Sequence, residues 1–304
     1  MKVLITGATG LVGSTLVEKA LSLGHEIHFL TTQKSKLAEK QKMKGFYWNP
    51  STNELDEACF EGVDAIVHLA GASISQRWTK KNKENISSSR IDGTRLLVDS
   101  IRRCNGKHQI KQVVAASAIG IYPSSFEMVY TEDYLPKRSS FLEEVVMDWE
   151  QEEDGFSAVG LQLTKLRIGL VLTKRGGVLG PMKIPTWFGL GAAFGSGNQM
   201  QSWIHVDDLV GMILTAIDQN WEGVFNAVSP NPVSQKVFTK TLAKAMERIY
   251  FLPPIPTLFI RLAVGEMSTL VFNSQNVSAE KVQKEGFVFT YPELLPAIKS
   301  LLLG

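Results

Sequence analysis

Three glycines close to the amino terminus have a spacing that suits phosphate binding. Gly7, Gly10 and Gly13 lie between an apolar run and an amphipathic stretch, so they occupy the turn between a predicted strand and a predicted helix. In such a turn the first glycine allows the tight bend, the second lets the backbone approach a pyrophosphate and the third lets the helix pack closely on the strand. The N–H groups at the helix start then face the phosphates. The predicted dinucleotide contacts are Gly7, Thr9, Gly10, Leu11, Val12 and Gly13.

The residues that follow the second predicted strand select between the two nicotinamide dinucleotides. An acidic side chain there accepts a hydrogen bond from the ribose 2′-hydroxyl, whereas a cation accommodates a 2′-phosphate. Residues 30–36 (LTTQKSK) contain no acid and two lysines. We therefore predict Thr32 and Lys34 as cofactor contacts and favour NADP, with NAD as the alternative. The competing interpretation is that Lys34 and Lys36 are ordinary solvated charges.

Composition excludes several other classes of function. The 304 residues carry a formal net charge of +2 with acids and bases interspersed, so no nucleic-acid partner is expected. Cys59 and Cys104 make neither a disulfide framework nor a metal site. The first residues lead directly into a strand, so no secretory signal is expected. The most apolar late stretch, residues 257–272, contains Arg261 and Glu266 and is too charged to span a membrane. We predict a cytoplasmic protein without metal or membrane partner.

Strands and helices alternate through the first 170 residues, which predicts an α/β fold with a parallel sheet covered on both faces. The predicted strands are 2–6, 25–31, 63–70, 112–117, 161–172 and 224–228, and the predicted helices are 11–23, 78–104, 139–153 and 206–217. A glycine-rich segment begins at Gly176 and is expected to help build a substrate site. Residues 1–175, with 204–228 returning to them, form the predicted Rossmann domain. Residues 176–203 and 229–304 form the predicted smaller C-terminal substrate domain.

Further motifs resemble the extended short-chain dehydrogenase/reductases. Residues 67–71 (VHLAG) resemble the fourth-strand signature of that superfamily, residues 117–122 (SAIGIY) its serine-rich strand and residues 203–209 (WIHVDDL) a late motif that joins substrate domain to sheet. The resemblance implies that Leu69, Ala70 and Gly71 lie beside the cofactor.

The match narrows to one subgroup and covers the chain end to end. This subgroup is the epimerase-like family labelled NAD-dependent epimerase/dehydratase or SulA-type cell division inhibitor. Its motifs are similar to residues 76–79 (QRWT), 89–94 (SRIDGT), 148–150 (DWE), 195–197 (GSG), 201–205 (QSWIH), 265–267 (GEM) and 286–294 (GFVFTYPEL). The family commonly has an arginine where this chain has Thr32, so Lys34 would have to meet the 2′-phosphate.

The superfamily's acid–base pair is missing from this chain. Relatives use a tyrosine with a lysine four residues later, one helical turn away, and extended members commonly add a glutamate after four more residues. Glu150 fits that glutamate, which places Val146 at the lysine position and Leu142 at the tyrosine position. The assisting serine aligns near Ser117 or Ala118.

Two hypotheses follow. In the first, the chain is an NADP-dependent oxidoreductase or epimerase with an atypical active site, acting on a nucleotide-sugar-like or carbonyl substrate. In the second, it binds NADP(H) without turnover, as a redox sensor or interaction protein. The predicted catalytic residues are Tyr122, Ser117 and His205, and Glu143 and Asp148 are further candidates. The structural alternatives are a satisfied tyrosine hydroxyl, a histidine that bonds a loop and solvated helix acids.

Two arginines follow the predicted cofactor loop that ends at Gly71. An arginine at the mouth of a nucleotide cleft can bind phosphate or carboxylate through two parallel hydrogen bonds. We predict that Arg90 lies near the cofactor or substrate, and the alternative for Arg77 and Arg90 is an ion pair on a helix surface. A homodimer is left open, because no interface is legible in the sequence.

Overall fold

The computed structural model describes residues 1–37, 39–40 and 42–303, which alternate between strands and helices. The strands are β1 (Lys2–Thr6), β2 (Glu26–Thr31), β3 (Glu39–Lys40), β4 (Met43–Asn49), β5 (Glu54–Leu55), β6 (Ala65–His68), β7 (Gln112–Ala118), β8 (Val129–Tyr130), β9 (Gln162–Ile168), β10 (Leu170–Thr173), β11 (Gly176–Gly177), β12 (Met200–Gln201), β13 (Trp203–His205), β14 (Gly223–Ala227), β15 (Val233–Ser234) and β16 (Asn276–Val277). The helices are α1 (Leu11–Ser22), α2 (Lys80–Arg103), α3 (Phe141–Ala158), α4 (Leu179–Trp187), α5 (Val206–Asp218), α6 (Gln235–Ala245), α7 (Thr257–Val264), α8 (Ser268–Phe272), α9 (Glu280–Lys284) and α10 (Leu294–Leu303).

A large sheet organises these elements. Its strand order is β14-β9-β7-β6-β1-β2-β4-β3, with β5 also paired to β4. Neighbours from β14 to β4 are parallel, whereas β3 and β5 pair with β4 in antiparallel fashion. The predicted Rossmann-type parallel sheet is therefore confirmed.

Both faces of the sheet are covered, as the apolar strands predict. Val3 and Ile5 of β1 belong to one apolar cluster and Leu4 to another, because successive side chains of a strand point to opposite faces. Helices α1 and α5 pack against each other on the first face, and α2 and α3 on the second. Each central strand is thereby buried on both sides.

One predicted strand is divided in the structure, and one long strand was not predicted. The single strand predicted over 161–172 is divided into β9 and β10 at Gly169, where a Cβ would lie 2.5 Å from the Ser202 carbonyl oxygen. The close approach of that backbone redirects the chain. Strand β4 was not predicted, because its mixed sequence MKGFYWN shows no clear alternation.

The order of the strands indicates where a ligand-binding cleft lies on the sheet. β1 pairs with β2 on one side and with β6 on the other, so the strand order reverses there. Ligands of doubly wound sheets bind outside the carboxyl ends of strands at such a reversal.

The C-terminal elements lie near the same edge. Helices α4, α6 and α10 share an apolar cluster, and Met267 and Leu270 pack against Trp78 and Leu142 at the starts of α2 and α3. The division into two domains stays a prediction.

Candidate functional site

The turn between β1 and α1 can be built only with glycine at two positions. Gly7 has a φ of +70°, and a Cβ there would lie 2.9 Å from the Leu69 carbonyl oxygen. A Cβ on Gly13 would lie 2.2 Å from the Gly7 carbonyl oxygen, which no rearrangement of a side chain could relieve. The helix start is thus held directly against the turn, as the glycine spacing predicts.

The start of α1 leaves N–H groups available for a ligand. The first helical bond is donated by Ser14 N to Gly10 O at 3.0 Å, and no side chain caps the helix. Thr9, Gly10 and Leu11 are exposed, and the buried Ser14 Oγ has no hydrogen-bond partner among the described residues. An uncapped helix terminus and an orphaned hydroxyl fit a phosphate-bearing ligand.

A buried hydrogen-bond chain fixes the second side of this turn. Thr6 Oγ1 accepts from the N–H groups of Leu69 and Ala70, both at 3.0 Å. Its own proton goes to His68 Nδ1, 2.8 Å away, while His68 Nε2 lies 3.0 Å from Thr94 Oγ1. Because Thr94 Oγ1 donates to the Arg90 carbonyl, His68 must donate from Nε2 and accept at Nδ1. The loop after β6 is therefore held by a neutral histidine.

Burial favours this neutral form of His68. The side chain is fully buried, and desolvation lowers its pKa to about 4. A protonated ring would present an N–H to Thr6 Oγ1, which already accepts two hydrogen bonds. The sequence offered no local signal for this network beyond the residues HLAG.

The predicted 2′-phosphate contacts lie after β2. Thr32 and Lys34 are exposed at the carboxyl end of β2, and the Lys34 ammonium lies 4.9 Å from the centre of the Tyr47 ring. Residues 32–37, which follow the strand, contain no carboxylate. An exposed cation held over an aromatic ring, without an acid beside it, can receive an anion.

Arg90 lies against the loop after β6, and its predicted proximity to a cofactor or substrate stays a prediction. Its guanidinium carbon would be 3.2 Å from a Cβ on Gly71, and Nη1 donates to the carbonyl oxygens of Ala72 (3.2 Å) and Ile86 (2.8 Å). The guanidinium also stacks on the Trp149 ring at 5.0 Å. No carboxylate pairs with Arg90 in the part of the chain that the structure describes, so the alternative of a surface ion pair does not apply.

Arg90 and the ring beneath it are hydrogen-bond donors that could bind an acceptor on a ligand. Burial lowers the pKa of Arg90 to about 10, so the group remains a cation at neutral pH. Trp149 Nε1, on the ring beneath it, is buried without an acceptor within the described residues. A buried indole N–H without an acceptor, beside a guanidinium that no carboxylate neutralises, fits a polar or anionic ligand.

Packed aliphatic side chains occupy the two positions assigned to the missing tyrosine and lysine. Leu142 and Val146 are 5% and 4% exposed, and both lie within 4 Å of the Cβ position of Gly120, in the turn after β7. Leu142 belongs to a cluster with Trp78, Ile86 and Val145. The two positions that the sequence assigns to the tyrosine and the lysine are therefore apolar and packed in this chain.

Tyr122 and Ser117 take part in a buried network. The Tyr122 hydroxyl donates to Asn226 Oδ1 at 2.7 Å and accepts from Arg167 Nη1 at 3.0 Å. Ser117 Oγ donates to Glu150 Oε1 at 2.5 Å, and Glu150 forms a two-point ion pair with Arg167. Burial raises the pKa of Tyr122 to about 12 despite the Arg167 charge. These contacts favour the structural alternative for Tyr122.

The other three candidates also have structural partners. His205 is 1% exposed, caps α5 by accepting from Asp207 N at 3.1 Å, and lies 3.2 Å from Ser300 Oγ. Glu143 accepts from Ser139 and Ser140 at the start of α3, in a capping box. Asp148 pairs with Arg138 at 2.6 Å. None of these groups is left without a partner above the carboxyl edge.

Known proteins resemble the chain throughout. The model of the NAD dependent epimerase/dehydratase family matches residues 3–227, and that of a domain of unknown function (DUF1731) matches residues 255–301. The epimerase family protein SSP1921 of Staphylococcus saprophyticus is 38% identical over 302 residues, which are 98% of each chain.

Two solved structures extend the comparison. Human epimerase family protein SDR39U1 (isoform2), crystallised with NADPH, superposes with a TM-score of 0.86 at 26% identity and full coverage of both chains. The nucleoside-diphosphate sugar epimerase from Corynebacterium glutamicum gives a TM-score of 0.79 at 29% identity, covering 99% of this chain and 58% of the other.

Proposed function

This chain belongs to the NAD dependent epimerase/dehydratase family, and we propose that it is an NADP(H)-dependent oxidoreductase or epimerase that works without the tyrosine–lysine pair. The observation that carries the proposal is the β1–α1 turn. Its uncapped helix start and its backbone contact between Gly7 and Gly13 fit a pyrophosphate. The turn, Leu69 to Gly71, Thr32 and Lys34 would hold the cofactor.

The preference for the phosphorylated cofactor rests on the end of β2. Lys34 lies there without a neighbouring carboxylate that could accept from a free 2′-hydroxyl. The resemblance to a human protein crystallised with NADPH supports the same choice. Lys34 would face the 2′-phosphate as a point charge, without the two parallel hydrogen bonds that the arginine common in the family can donate.

Arg90 would take over the ribose contact that the lysine makes in relatives. It comes from α2 rather than α3, yet it lies against Gly71 at the carboxyl edge, where the cofactor loop ends. Its unused N–H groups and the Trp149 indole N–H could donate to ribose hydroxyls or to the pyrophosphate.

The chemistry would proceed without a positioned general acid. When bound, the cofactor would supply a hydride to a carbonyl carbon, or accept one from an alcohol. Leu142 and Val146 wall one side of the reacting space without donating a proton, so solvent must supply it. General acids contribute about 10²–10⁴-fold. Turnover slower by about that factor is expected. A nucleotide-sugar-like substrate is supported by the likeness to the Corynebacterium glutamicum epimerase.

A second candidate function is favoured by one observation. Because Leu142 and Val146 fill the acid–base site with packed aliphatic groups, the chain could bind NADP(H) as a redox sensor without turning it over. A sensor must bind the oxidised and reduced cofactor with different affinities, since only differential affinity shifts an equilibrium.

One experiment separates these outcomes. The protein is titrated calorimetrically with NADPH and NADP⁺, and NADPH absorbance is then followed with a panel of carbonyl compounds and nucleotide sugars. Binding with slow consumption supports the enzyme. Because an epimerase regenerates its cofactor, the nucleotide sugars are also examined for a change of stereochemistry. Binding with unequal affinities, no consumption and no epimerised product across the panel supports the sensor. Absence of binding overturns both.

A further inference from the structure

A large apolar surface contains none of the residues assigned to the cofactor. It is formed by the end of α4 with its following loop and by residues 249–262. Nine of its side chains are each at least 55% exposed, and we call this set the apolar patch: Ile184, Trp187, Phe188, Leu190, Ile249, Phe251, Leu258, Phe259 and Leu262. Contiguous apolar surfaces of this kind mark sites of interaction with a protein or a membrane.

Contacts between the two segments make the patch continuous. The Arg248 guanidinium stacks on the Trp187 ring at 4.1 Å, and its Nε donates to the Trp187 carbonyl at 3.0 Å. Farther along, Ile255 N donates to Ala193 O at 2.7 Å, and Gly195 N donates to Ile255 O at 2.9 Å. The segment that leads into α7 is thereby fixed beside the loop after α4.

Helix α7 is the most unusual part of the patch. None of its eight residues is buried, yet Leu258, Phe259 and Leu262 share one strongly apolar face. Short helices of this length are marginal in water unless an apolar face packs against something. The apolar face of α7 is therefore exposed where a packing partner would stabilise it.

Cations outnumber acids in the segments that carry the patch. Residues 176–203 and 223–266 contain two acids, Glu247 and Glu266, and these cations: Lys183, Lys236, Lys240, Lys244, Arg248 and Arg261. Glu266 is already paired with Lys83. Lys236, Lys240 and Lys244 recur every four residues and are all exposed along α6. This concentration contrasts with the formal net charge of +2 for the whole chain. The segments that form the patch therefore carry an excess of cations, which we call its basic rim, and one of them, Arg248, lies directly on Trp187.

From this combination we infer that the apolar patch docks on an anionic lipid membrane. Exposed tryptophan and phenylalanine insert at the level of the headgroups, and surrounding lysines are attracted to anionic lipids. A second copy of the chain would instead bring two basic rims together, which is unfavourable. No helix within the described ranges has the length and apolarity needed to cross a bilayer, so the attachment is to the surface. The inference departs from the sequence prediction of no membrane partner.

Vesicle sedimentation tests the inference. The full chain is mixed with phosphatidylcholine vesicles or with vesicles that also contain phosphatidylglycerol. We expect about tenfold or greater enrichment on the anionic vesicles and its loss at high salt. Trp187→Ser with Phe188→Ser, and separately Lys240→Glu with Lys244→Glu, should each lower binding about tenfold. Leu135→Ser with Val288→Ser is the matched control, because both residues are 83% exposed elsewhere.

Several results would overturn the inference. They are no sedimentation of the unaltered protein, equal binding to both vesicle types, or equal losses in the control. A dimer in light scattering that Trp187→Ser with Phe188→Ser dissociates would assign the patch to a subunit interface instead. Far-UV circular dichroism and thermal denaturation of each variant confirm that it is folded, so this test does not depend on the proposed activity.

Discussion

A Cβ on Gly13 would lie 2.2 Å from the carbonyl oxygen of Gly7, so α1 can approach the turn only because residue 13 has no side chain. Gly13→Ala must push the helix away from the turn, and the N–H groups at its start move with it. We expect NADPH affinity to fall about 100-fold or more, measured by calorimetry. Gly180→Ala is the control, since a Cβ there meets no atom within 4 Å. Unchanged binding in Gly13→Ala would contradict the assigned cradle.

Cofactor selectivity should depend on Lys34. Lys34→Ala removes the cation at the end of β2 and should weaken NADPH binding about tenfold, or 1.4 kcal/mol, with little change for NADH. Lys36→Ala, two residues along the same exposed turn, is the control. Equal losses for both cofactors in Lys34→Ala would refute the proposed contact with the 2′-phosphate.

The proposed role of Arg90 can be tested separately from the contacts that bind the adenine end of the cofactor. Arg90→Lys keeps the charge but loses the planar group that stacks on Trp149 and donates to Ala72. We expect NADPH affinity to fall about tenfold, while affinity for 2′,5′-ADP, which lacks the pyrophosphate and the second ribose, stays unchanged. A matching loss for both ligands would show that Arg90 only supports the fold.

Tyr122 should matter for stability rather than for turnover. Tyr122→Phe leaves Asn226 Oδ1 and Arg167 Nη1 short of a buried partner, which costs about 1–3 kcal/mol. Chemical denaturation measures that loss. Tyr134→Phe, on a neighbouring and less buried ring, is the comparison. A fall in kcat for Tyr122→Phe without a loss of stability would restore the catalytic prediction.

Acid should destabilise the protein through His68. Its pKa is lowered from 6.5 to about 4 by burial, so the unfolded chain binds a proton that the folded chain excludes. Stability is therefore fully present above pH 6.5 and is lost as the pH falls towards 4, by about 3 kcal/mol. Denaturation curves at several pH values should show a flatter slope for His68→Asn. The slope should persist in His25→Gln, and a slope unaffected by His68→Asn would exclude this role.

The parts of the site that depend on local spacing could be predicted from the sequence. The turn from Gly7 to Gly13 lies within seven residues, and its conformation follows from the glycine positions. The parallel sheet followed from alternating apolar segments. The absence of the tyrosine–lysine pair was likewise predicted by counting along one helix, and the structure shows that Leu142 and Val146 at the assigned positions are packed beside Gly120.

The remainder depends on contacts between distant residues. The Tyr122 hydroxyl is satisfied by Asn226, 104 residues away, and Ser117 by Glu150, 33 residues away. His68 links Thr6 and Thr94, at separations of 62 and 26 residues. No pattern within one segment reveals such partners, so catalytic and structural roles could not be told apart before the tertiary structure was known.

A crystal structure with NADPH bound tests the central claim most directly. The account predicts the pyrophosphate at the N–H groups of Leu11 and Val12, the 2′-phosphate within ion-pair distance of Lys34, and the Arg90 guanidinium hydrogen-bonded to the nicotinamide half of the cofactor. No polar group would lie between the nicotinamide and the side chains of Leu142 and Val146. A cofactor bound elsewhere, or bound in this turn with Arg90 donating only to Ala72 and Ile86, would contradict the account.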